Sequence, residues 1–324
     1  MEILKEYIDF LNRKLEETTI VKEPEQLYKP IDYILSIGGK RIRPALTLMT
    51  CDLLADEYEK ALPAAMAVEM FHNFSLIHDD IMDNAPLRRG YPTVHEKWDV
   101  NTGILSGDAM LILAYRFFES YEPEKFRDLA KLFSKTAIEV CEGQQLDMDF
   151  ENREDVSMEE YILMIEQKTA VLLGAAMKMG AIVADASATE QEKLYEFGKN
   201  LGIAFQLQDD YLDTFGDPKF FGKQKSGDII ANKKTILFLL AKKHGKPEQV
   251  EELLHLFSIT PKDAGQKIKT VKEIYNQAGV VEATKKQIDK YRKIAFDNLE
   301  NLSLPENKKT WLKTFVFELM ERNT

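Results

Sequence analysis

Two acidic triads with the same DDxxD spacing are the residues most able to do chemistry. Each triad follows a strongly apolar run and precedes a Gly/Pro loop that carries basic residues. The six residues are Asp79, Asp80, Asp83, Asp209, Asp210 and Asp213. One such motif in an acidic protein is most often a solvated helix end, but two copies in the same setting favour a site. Residues four apart share a helix face, so each triad presents two carboxylates to one point. All-oxygen ligands predict Mg²⁺ with a diphosphate rather than zinc.

Basic residues occur where a diphosphate would need them. Some are in the segment GGKRIRP, which precedes a predicted helix, and helix N-termini and guanidinium groups both bind phosphate. His72 lies two turns before Asp79, and its alternative interpretation is a buried histidine bonded to a neighbour. Short basic loops are also common on plain surface. The basic candidates are Lys40, Arg41, Arg43, Arg88, Arg89, Lys168, Lys223, Lys225, Lys233 and Lys234.

Composition excludes several classes of function. The 324 residues are 44% hydrophobic and carry a formal net charge of −11, which disfavours nucleic acid as a partner. No apolar run reaches the roughly 18 residues needed to span a bilayer, and the N-terminal segment has the pattern of an amphipathic helix rather than a signal peptide. Cys51 and Cys141 have no second Cys or His at metal spacing. A cytoplasmic protein without a membrane span is expected.

Helical periodicity runs through the whole sequence and predicts an all-α fold, a single large helical bundle around a deep central cavity. No linker or repeat divides the chain, so one domain over 1–324 is expected. The long helices could form the wall of the cavity. The periodic segments lie near 2–17, 25–37, 44–55, 59–83, 102–119, 124–149, 157–182, 187–214, 233–243, 247–256, 262–278, 280–301 and 307–322.

These motifs resemble those of the trans-isoprenyl diphosphate synthases, the polyprenyl synthetase family, over nearly the whole chain. The matching segments are GGKRIRP, FHNFSLIHDDIMDNAPLRRG, LSGDAML, EGQQLDM, KTA, FQLQDDYLD and FGKQKSGDIIANKKT. The resemblance implies an isoprenoid synthase fold, a homodimer, and Mg²⁺-dependent transfer of an allylic group to isopentenyl diphosphate. Three Mg²⁺ ions per active site are expected. Asn232 departs from the Gly that relatives often carry there, which leaves the choice between Lys233 and Lys234 open.

The resemblance also implies a role for each matching residue. Asp79, Asp83 and Asp209 would hold Mg²⁺ on the allylic diphosphate, and the other three acids would ligate directly or through water. Thr169 and Gln206 would lie beside the allylic carbon, with Lys168 among the catalytic residues. The same diphosphate would be contacted by Arg88, Lys168, Lys223 and Lys233. The diphosphate of isopentenyl diphosphate would be bound by Lys40, Arg43, His72 and Arg89, and the metal-facing wall supported by Gln144 and Asp147.

Product length is expected to depend on Phe71, Phe74 and Ser75, which precede the first triad. An aromatic residue five positions before Asp79 stands about 7.5 Å along the helix axis and could stop elongation after a few isoprene units. Among relatives this pattern resembles the geranylgeranyl diphosphate (C20) synthases, with a farnesyl diphosphate (C15) synthase or a longer polyprenyl synthase as alternatives. On a straight helix, however, Phe74 lies about 140° from Asp79. Both phenylalanines could equally be core residues.

Two other classes of protein share part of this pattern. A class I terpene cyclase would have the all-α fold and one Asp-rich motif, but it has no need for the GGKRIRP site, and the second DDYLD argues against it. A catalytically silent partner subunit would be expected to lose acids or basic residues from the motifs. All of them are present here.

Overall fold

A computed structural model describes residues 2–18, 20–216 and 226–320, and helices account for most of them. The all-α class is confirmed; within these ranges the one β element is a hairpin of two short strands, β1 Leu87–Arg88 and β2 Tyr91–Pro92. The α-helices are α1 Lys5–Glu17, α2 Glu25–Ser36, α3 Ile42–Ala55, α4 Leu62–Met82, α5 Val94–Lys97, α6 Val100–Phe117, α7 Pro123–Asn152, α8 Met158–Ile165, α9 Val171–Val183, α10 Ala188–Phe215, α11 Gly227–Ile230, α12 Ile236–His244, α13 Pro247–Leu256, α14 Gly265–Gln277, α15 Val280–Glu300 and α16 Glu306–Met320.

The chain divides into two compact units, and the first comprises Met1–Ser134 and Ala175–Glu192. Its core lies along α3 and α4, which contact each other; α4 also contacts α6. Pro63 stands in the first turn of α4, where its missing N–H has no helical partner to lose. The helix is buried along most of its length, and it ends at Met82 with Asp83 as its C-cap. The first acidic triad therefore belongs to the last turn of a buried helix.

The second unit comprises Lys135–Gly174 and Lys193–Thr324. Helix α12 is buried over its apolar stretch and contacts α8, α14 and α15. Helix α8 begins with a capping box, in which Ser157 and Glu160 each accept a hydrogen bond from the other's backbone N–H. No helix in the described ranges is both long and apolar enough to cross a bilayer.

The segment predicted as one helix over 157–182 is interrupted. Helix α8 ends at Ile165, a π-helical turn occupies Glu166–Ala170, and α9 follows. A π turn inserts one residue into the helical repeat, so it shifts the faces of the helix that follows it. This explains why Lys168 and Thr169 break the apolar pattern of the sequence.

Candidate active site

In the first acidic triad one carboxylate is buried and ion-paired, and the other two are more accessible to solvent. Asp80 is buried, and its two oxygens accept hydrogen bonds from Nε and Nη2 of Arg88, both at 2.7 Å. This two-pronged pair is the strongest geometry available to arginine and carboxylate. Asp79 is half-buried and Asp83 is exposed. Arg88, on strand β1, is thus held against the end of α4.

A cluster of basic side chains, Arg43, His72 and Arg89, lies in the same unit as this triad. Arg43 Nη1 is 3.3 Å from His72 Nε2. A Cβ on Gly39 would lie 2.7 Å from Nη1 of Arg89, so the glycine leaves the space that this guanidinium fills. Residues from the GGKRIRP segment, from α4 and from the LRRG segment that follows the first triad are therefore brought together. Lys40 of the same loop is exposed.

Burial controls the charge states of this cluster. It lowers the pKa of His72 well below its usual range, and the neighbouring Arg43 lowers it further, so the imidazole is neutral at pH 7. Neutral His72 accepts a hydrogen bond from Arg43 at Nε2. Burial also lowers the pKa of Arg43 to about 10, against the opposing effect of Glu69, and Arg43 remains a cation. The pKa of Arg89 is lowered by burial and by Arg88.

Arg41 has a different environment from its neighbours in the loop. It is only 7% exposed and forms an ion pair with Glu69, which is 3% exposed, while its Nη2 donates to the Leu35 carbonyl at 2.5 Å. Asn73 Nδ2 donates to Glu69 Oε1 at 2.7 Å. Arg41 is therefore held beneath the cluster by Glu69, which our sequence interpretation missed. A single acid within the apolar run AAMAVEMF was the available signal.

The residues predicted to set product length lie on α4. Phe71 and Phe74 are buried with their ring centroids 5.5 Å apart, and the Phe74 ring also lies edge-on to His78 at 4.8 Å. Phe71 contacts Phe133, which extends this group of rings. Ser75 is half-buried and donates to the His72 carbonyl at 2.9 Å. The structure places Phe74 among aromatic side chains, and its effect on the product stays a prediction.

The second triad, in the second unit, resembles the first in its burial. Asp210 is buried, accepts hydrogen bonds from the Tyr161 hydroxyl and from Gln206 Nε2 at 3.1 Å, and is flanked by the half-buried Asp209. Burial and, secondly, the charge on Asp228 raise the pKa of Asp210 to about 8, against the lowering effect of the two hydrogen bonds. A bound cation would favour the ionised form. In both triads the middle acid is thus buried and hydrogen-bonded.

Asp213 connects the second triad to the next loop. Its carboxylate accepts the backbone N–H groups of Gly227 at 3.2 Å and Asp228 at 3.1 Å. Its own carbonyl accepts the N–H of Ser226 at 2.9 Å. Lys223, a predicted diphosphate ligand, lies outside the described residues, as does Lys225.

The π turn places Lys168 beside Asp147 and Thr169 near Gln206. Lys168 Nζ donates to Asp147 Oδ2 at 2.5 Å, and Thr169 Oγ1 is 3.5 Å from Gln206 Oε1. Both amide atoms of Gln144 are buried and have no hydrogen-bond partner within the described part of the chain. A buried amide of this kind is available to a ligand or to water.

Two glycines allow other helices to approach the π turn closely. A Cβ on Gly143 of α7 would lie 2.2 Å from the backbone nitrogen of Lys168. A Cβ on Gly202 of α10 would lie 2.8 Å from Cα of Ala170. Real side chains do not approach so closely, so glycine at both positions is what lets these backbones pack at this distance.

The structure separates the two lysines of the NKKT segment. Lys234 Nζ donates to the carbonyls of Phe150 at 3.1 Å, Glu151 at 3.2 Å and Arg153, at the C-terminal end of α7. A cation is favoured there by the helix dipole and by carbonyls that lack helical partners. Lys233 is exposed.

The acidic side chains of the two triads are the candidate metal ligands. Within residues 2–18, 20–216 and 226–320, no three His, Cys, Asp or Glu side chains form a group that could hold a metal ion. The donor chemistry nevertheless suits Mg²⁺, because each triad offers only oxygen ligands. In each triad, other side chains also hold the middle acid in place. The predicted ligands therefore stay predictions.

Comparison with known proteins identifies the family. The profile of the polyprenyl synthetase family matches residues 24–277. A geranylgeranyl diphosphate synthase from Methanosarcina mazei is 41% identical over 244 residues, 75% of each chain. A short chain isoprenyl diphosphate synthase from Methanocaldococcus jannaschii is 44% identical over 239 residues, 74% of this chain and 73% of the relative. A crystal structure of a geranylgeranyl pyrophosphate synthase, 50% identical, superposes with a TM-score of 0.94 and 99% coverage of both chains.

The chain belongs to the polyprenyl synthetase family. The resemblance drawn from its motifs is thereby confirmed, as is the prediction that it is a trans-prenyltransferase.

Proposed function

We propose that the protein condenses isopentenyl diphosphate with an allylic diphosphate and releases geranylgeranyl diphosphate. The observation that carries the proposal is the conjunction, within one unit, of a carboxylate triad with the Arg43, His72 and Arg89 cluster. Carboxylates that could hold Mg²⁺ and cations that could hold phosphate are what a diphosphate substrate requires. Relatives named as geranylgeranyl diphosphate synthases support the choice of product.

The cationic cluster would bind isopentenyl diphosphate. Arg43 and Arg89 supply charge-assisted hydrogen bonds, and Lys40 adds a third cation. Neutral His72 orients Arg43 through the Nε2 contact, which leaves the Nδ1–H as a further donor. We expect this substrate to be held by the protein's own cations.

The allylic diphosphate would be bound by a second set of residues. Mg²⁺ ions, three per site, would be held by Asp79, Asp83 and Asp209, with Asp80, Asp210 and Asp213 ligating directly or through water. When bound, Mg²⁺ supplies positive charge to the diphosphate oxygens as the carbon–oxygen bond breaks. The protein ligands of the same diphosphate would be Arg88, Lys168, Lys223 and Lys233. Lys233 is preferred to Lys234 because Lys234 is committed to the end of α7.

The reaction would begin with cleavage of the allylic C1–O bond, which leaves an allylic cation and a diphosphate anion. Lys168 would stabilise the charge that grows on the leaving diphosphate. The oxygens of Thr169 and Gln206 would face the cation and stabilise it without capturing it as water would. The double bond of isopentenyl diphosphate then attacks C1 to form the new carbon–carbon bond. A proton is lost to the departing diphosphate, which restores a neutral double bond.

Phe74 would end elongation at C20, with Phe71 behind it and Ser75 beside it. We also propose that both units act as one synthase domain over 1–324, that the protein is a homodimer, and that it works in the cytoplasm. The family profile supports a single domain, because its match from 24 to 277 runs through parts of both units.

An assay of product length tests the proposed function. The protein is incubated with Mg²⁺, labelled isopentenyl diphosphate and dimethylallyl, geranyl or farnesyl diphosphate, and the products are resolved by chain length. Accumulation of the C20 diphosphate from every primer is expected. A C15 end product would contradict the length assignment. Conversion of a primer to a cyclic hydrocarbon without isopentenyl diphosphate would indicate a terpene cyclase, and no turnover with any primer would refute the proposal.

A further inference from the structure

Lys267 of α14 is a charged side chain in an unusual place. It is 3% exposed, and burial lowers the pKa of its ammonium. Its Nζ donates to Asn232 Oδ1 and, at 3.0 Å, to the carbonyl of Ile259. Nζ also lies 5.6 Å from the centroid of the Phe257 ring. Burying an ammonium group costs free energy unless hydrogen-bond acceptors surround it. The contact with Asn232 therefore stabilises the buried charge of Lys267.

Asn232 has a conformation that needs support. Its φ of 59° lies in the left-handed region, which side chains other than glycine seldom adopt. Its Nδ2 donates to the carbonyl of Ile259 at 3.3 Å and its Oδ1 accepts from Lys267. Both ends of the amide are therefore fixed by groups from α14 and from the segment that precedes it.

The backbone on either side of Asn232 leads to the candidate active site. The N–H of the next residue, Lys233, donates to the Asp228 carbonyl at 2.9 Å, and the N–H of Asp228 donates to Asp213 Oδ2 at 3.1 Å. Asp213 belongs to the second acidic triad. A short series of hydrogen bonds thus joins this triad, Lys233 and the Asn232 turn into one loop.

We infer that Lys267 is a positioning residue for the diphosphate-binding loop: through Asn232 it fixes the left-handed turn and thereby the location of Lys233. The assignment of Lys233 to the allylic diphosphate rests on the proposed function. A displacement of the turn would move Lys233 away from the allylic diphosphate. Arg43 and Arg89 belong to the other unit and should be unaffected. The role of Lys267 should therefore appear as selective weakening for one of the two substrates.

Four variants test this role in the full-length protein. Lys267→Met removes the ammonium and keeps the length of the side chain, and Lys269→Met is the control, an exposed lysine on the same helix. Asn232→Gly tolerates the positive φ but removes the contact with Lys267. Asn232→Asp keeps an acceptor for the ammonium but loses the Nδ2 donor to Ile259, so its effect should be smaller than that of Asn232→Gly.

Two readouts separate positioning from general stability. For Lys267→Met and Asn232→Gly, KM for the allylic diphosphate should rise about tenfold, the effect of losing one charge-assisted contact. KM for isopentenyl diphosphate should stay within about twofold. Lys269→Met should resemble wild type, and the changes in Asn232→Asp should be smaller than those in Asn232→Gly. Amide hydrogen exchange should accelerate at Asp228 and Lys233 in Lys267→Met and Asn232→Gly, which needs no turnover.

The outcomes distinguish the inference from the function on which it rests. If Lys267→Met folds and exchange over residues 226–235 is unchanged, or if both KM values change equally, the positioning role is wrong. Should Lys267→Met fail to fold, Asn232→Gly alone decides by the same two criteria. Wild-type protein without prenyl transfer would instead refute the proposed function, and the exchange measurement would still decide whether Lys267 fixes the loop.

Discussion

Gly143→Ala is expected to damage catalysis far more than folding. The new Cβ would lie 2.2 Å from the backbone nitrogen of Lys168 and 2.7 Å from its Cα. Ordinary contacts are about 3.5 Å, so the π turn and α7 would have to separate by about 1.3 Å. The clash is with backbone, so no rotamer change can relieve it. Lys168 and Thr169 would move with the turn.

The expected size of the Gly143→Ala effect follows from two opposing contributions to stability and from one change in geometry. Overpacking costs about 1–3 kcal/mol, while alanine returns about 1 kcal/mol of helix propensity, so the variant should remain folded. A misplacement of about 1 Å at a reacting centre costs about 10²-fold in rate. We therefore expect a fall of about 10²-fold in the rate of prenyl transfer.

Single-turnover assays with a saturating allylic diphosphate measure this rate without interference from product release. The control is Gln145→Ala, an exposed position on the same helix, which should leave the rate unchanged. Circular dichroism would check that both variants are folded. A folded Gly143→Ala protein with wild-type single-turnover rate would refute the idea that close approach of α7 places Lys168.

Three further perturbations have outcomes that the structure specifies. Glu69→Gln should lower the free energy of unfolding by about 3 kcal/mol in urea titrations, because it leaves the buried charge of Arg41 unpaired; Arg41→Met in the same background should recover part of the loss. Lys234→Met should lower that free energy by about 1 kcal/mol and leave both KM values unchanged, since it removes a cation from the end of α7. His72 should contribute a decrease in the free energy of unfolding as pH falls below 6.5, because unfolded His72 binds a proton that folded His72, with its lowered pKa, does not. The raised pKa of Asp210 acts in the opposite direction, so the His72 contribution is measured as the difference in slope between wild type and His72→Gln.

Helical periodicity predicted most of the fold, because the spacing of apolar residues directly reflects which face of each helix is buried. The triads at the ends of α4 and α10 followed from the same pattern. The π turn did not, since periodicity shows only that Lys168 and Thr169 interrupt the apolar face. Whether an interruption is a loop, a kink or an inserted residue depends on tertiary packing, here on Gly143 and Gly202.

Charge alone could not separate ligands from structural ions. Arg41 and Arg43 look alike in GGKRIRP, yet Arg41 is held by Glu69 28 residues away. Lys233 and Lys234 are adjacent, and Lys234 is distinguished by carbonyls more than 80 residues earlier. Pairing across such distances is decided by the packing of helices, which the local sequence does not encode.

The central claim is that both acidic triads serve the same prenyl transfer, and alanine variants test it most directly. Asp79→Ala, Asp209→Ala and the exposed control Asp128→Ala would be compared with wild type in the transfer of farnesyl diphosphate to labelled isopentenyl diphosphate. We predict that each triad variant loses at least about a hundredfold in rate while the control keeps full activity. A folded Asp79→Ala or Asp209→Ala protein that still makes the C20 product at the wild-type rate would contradict this account.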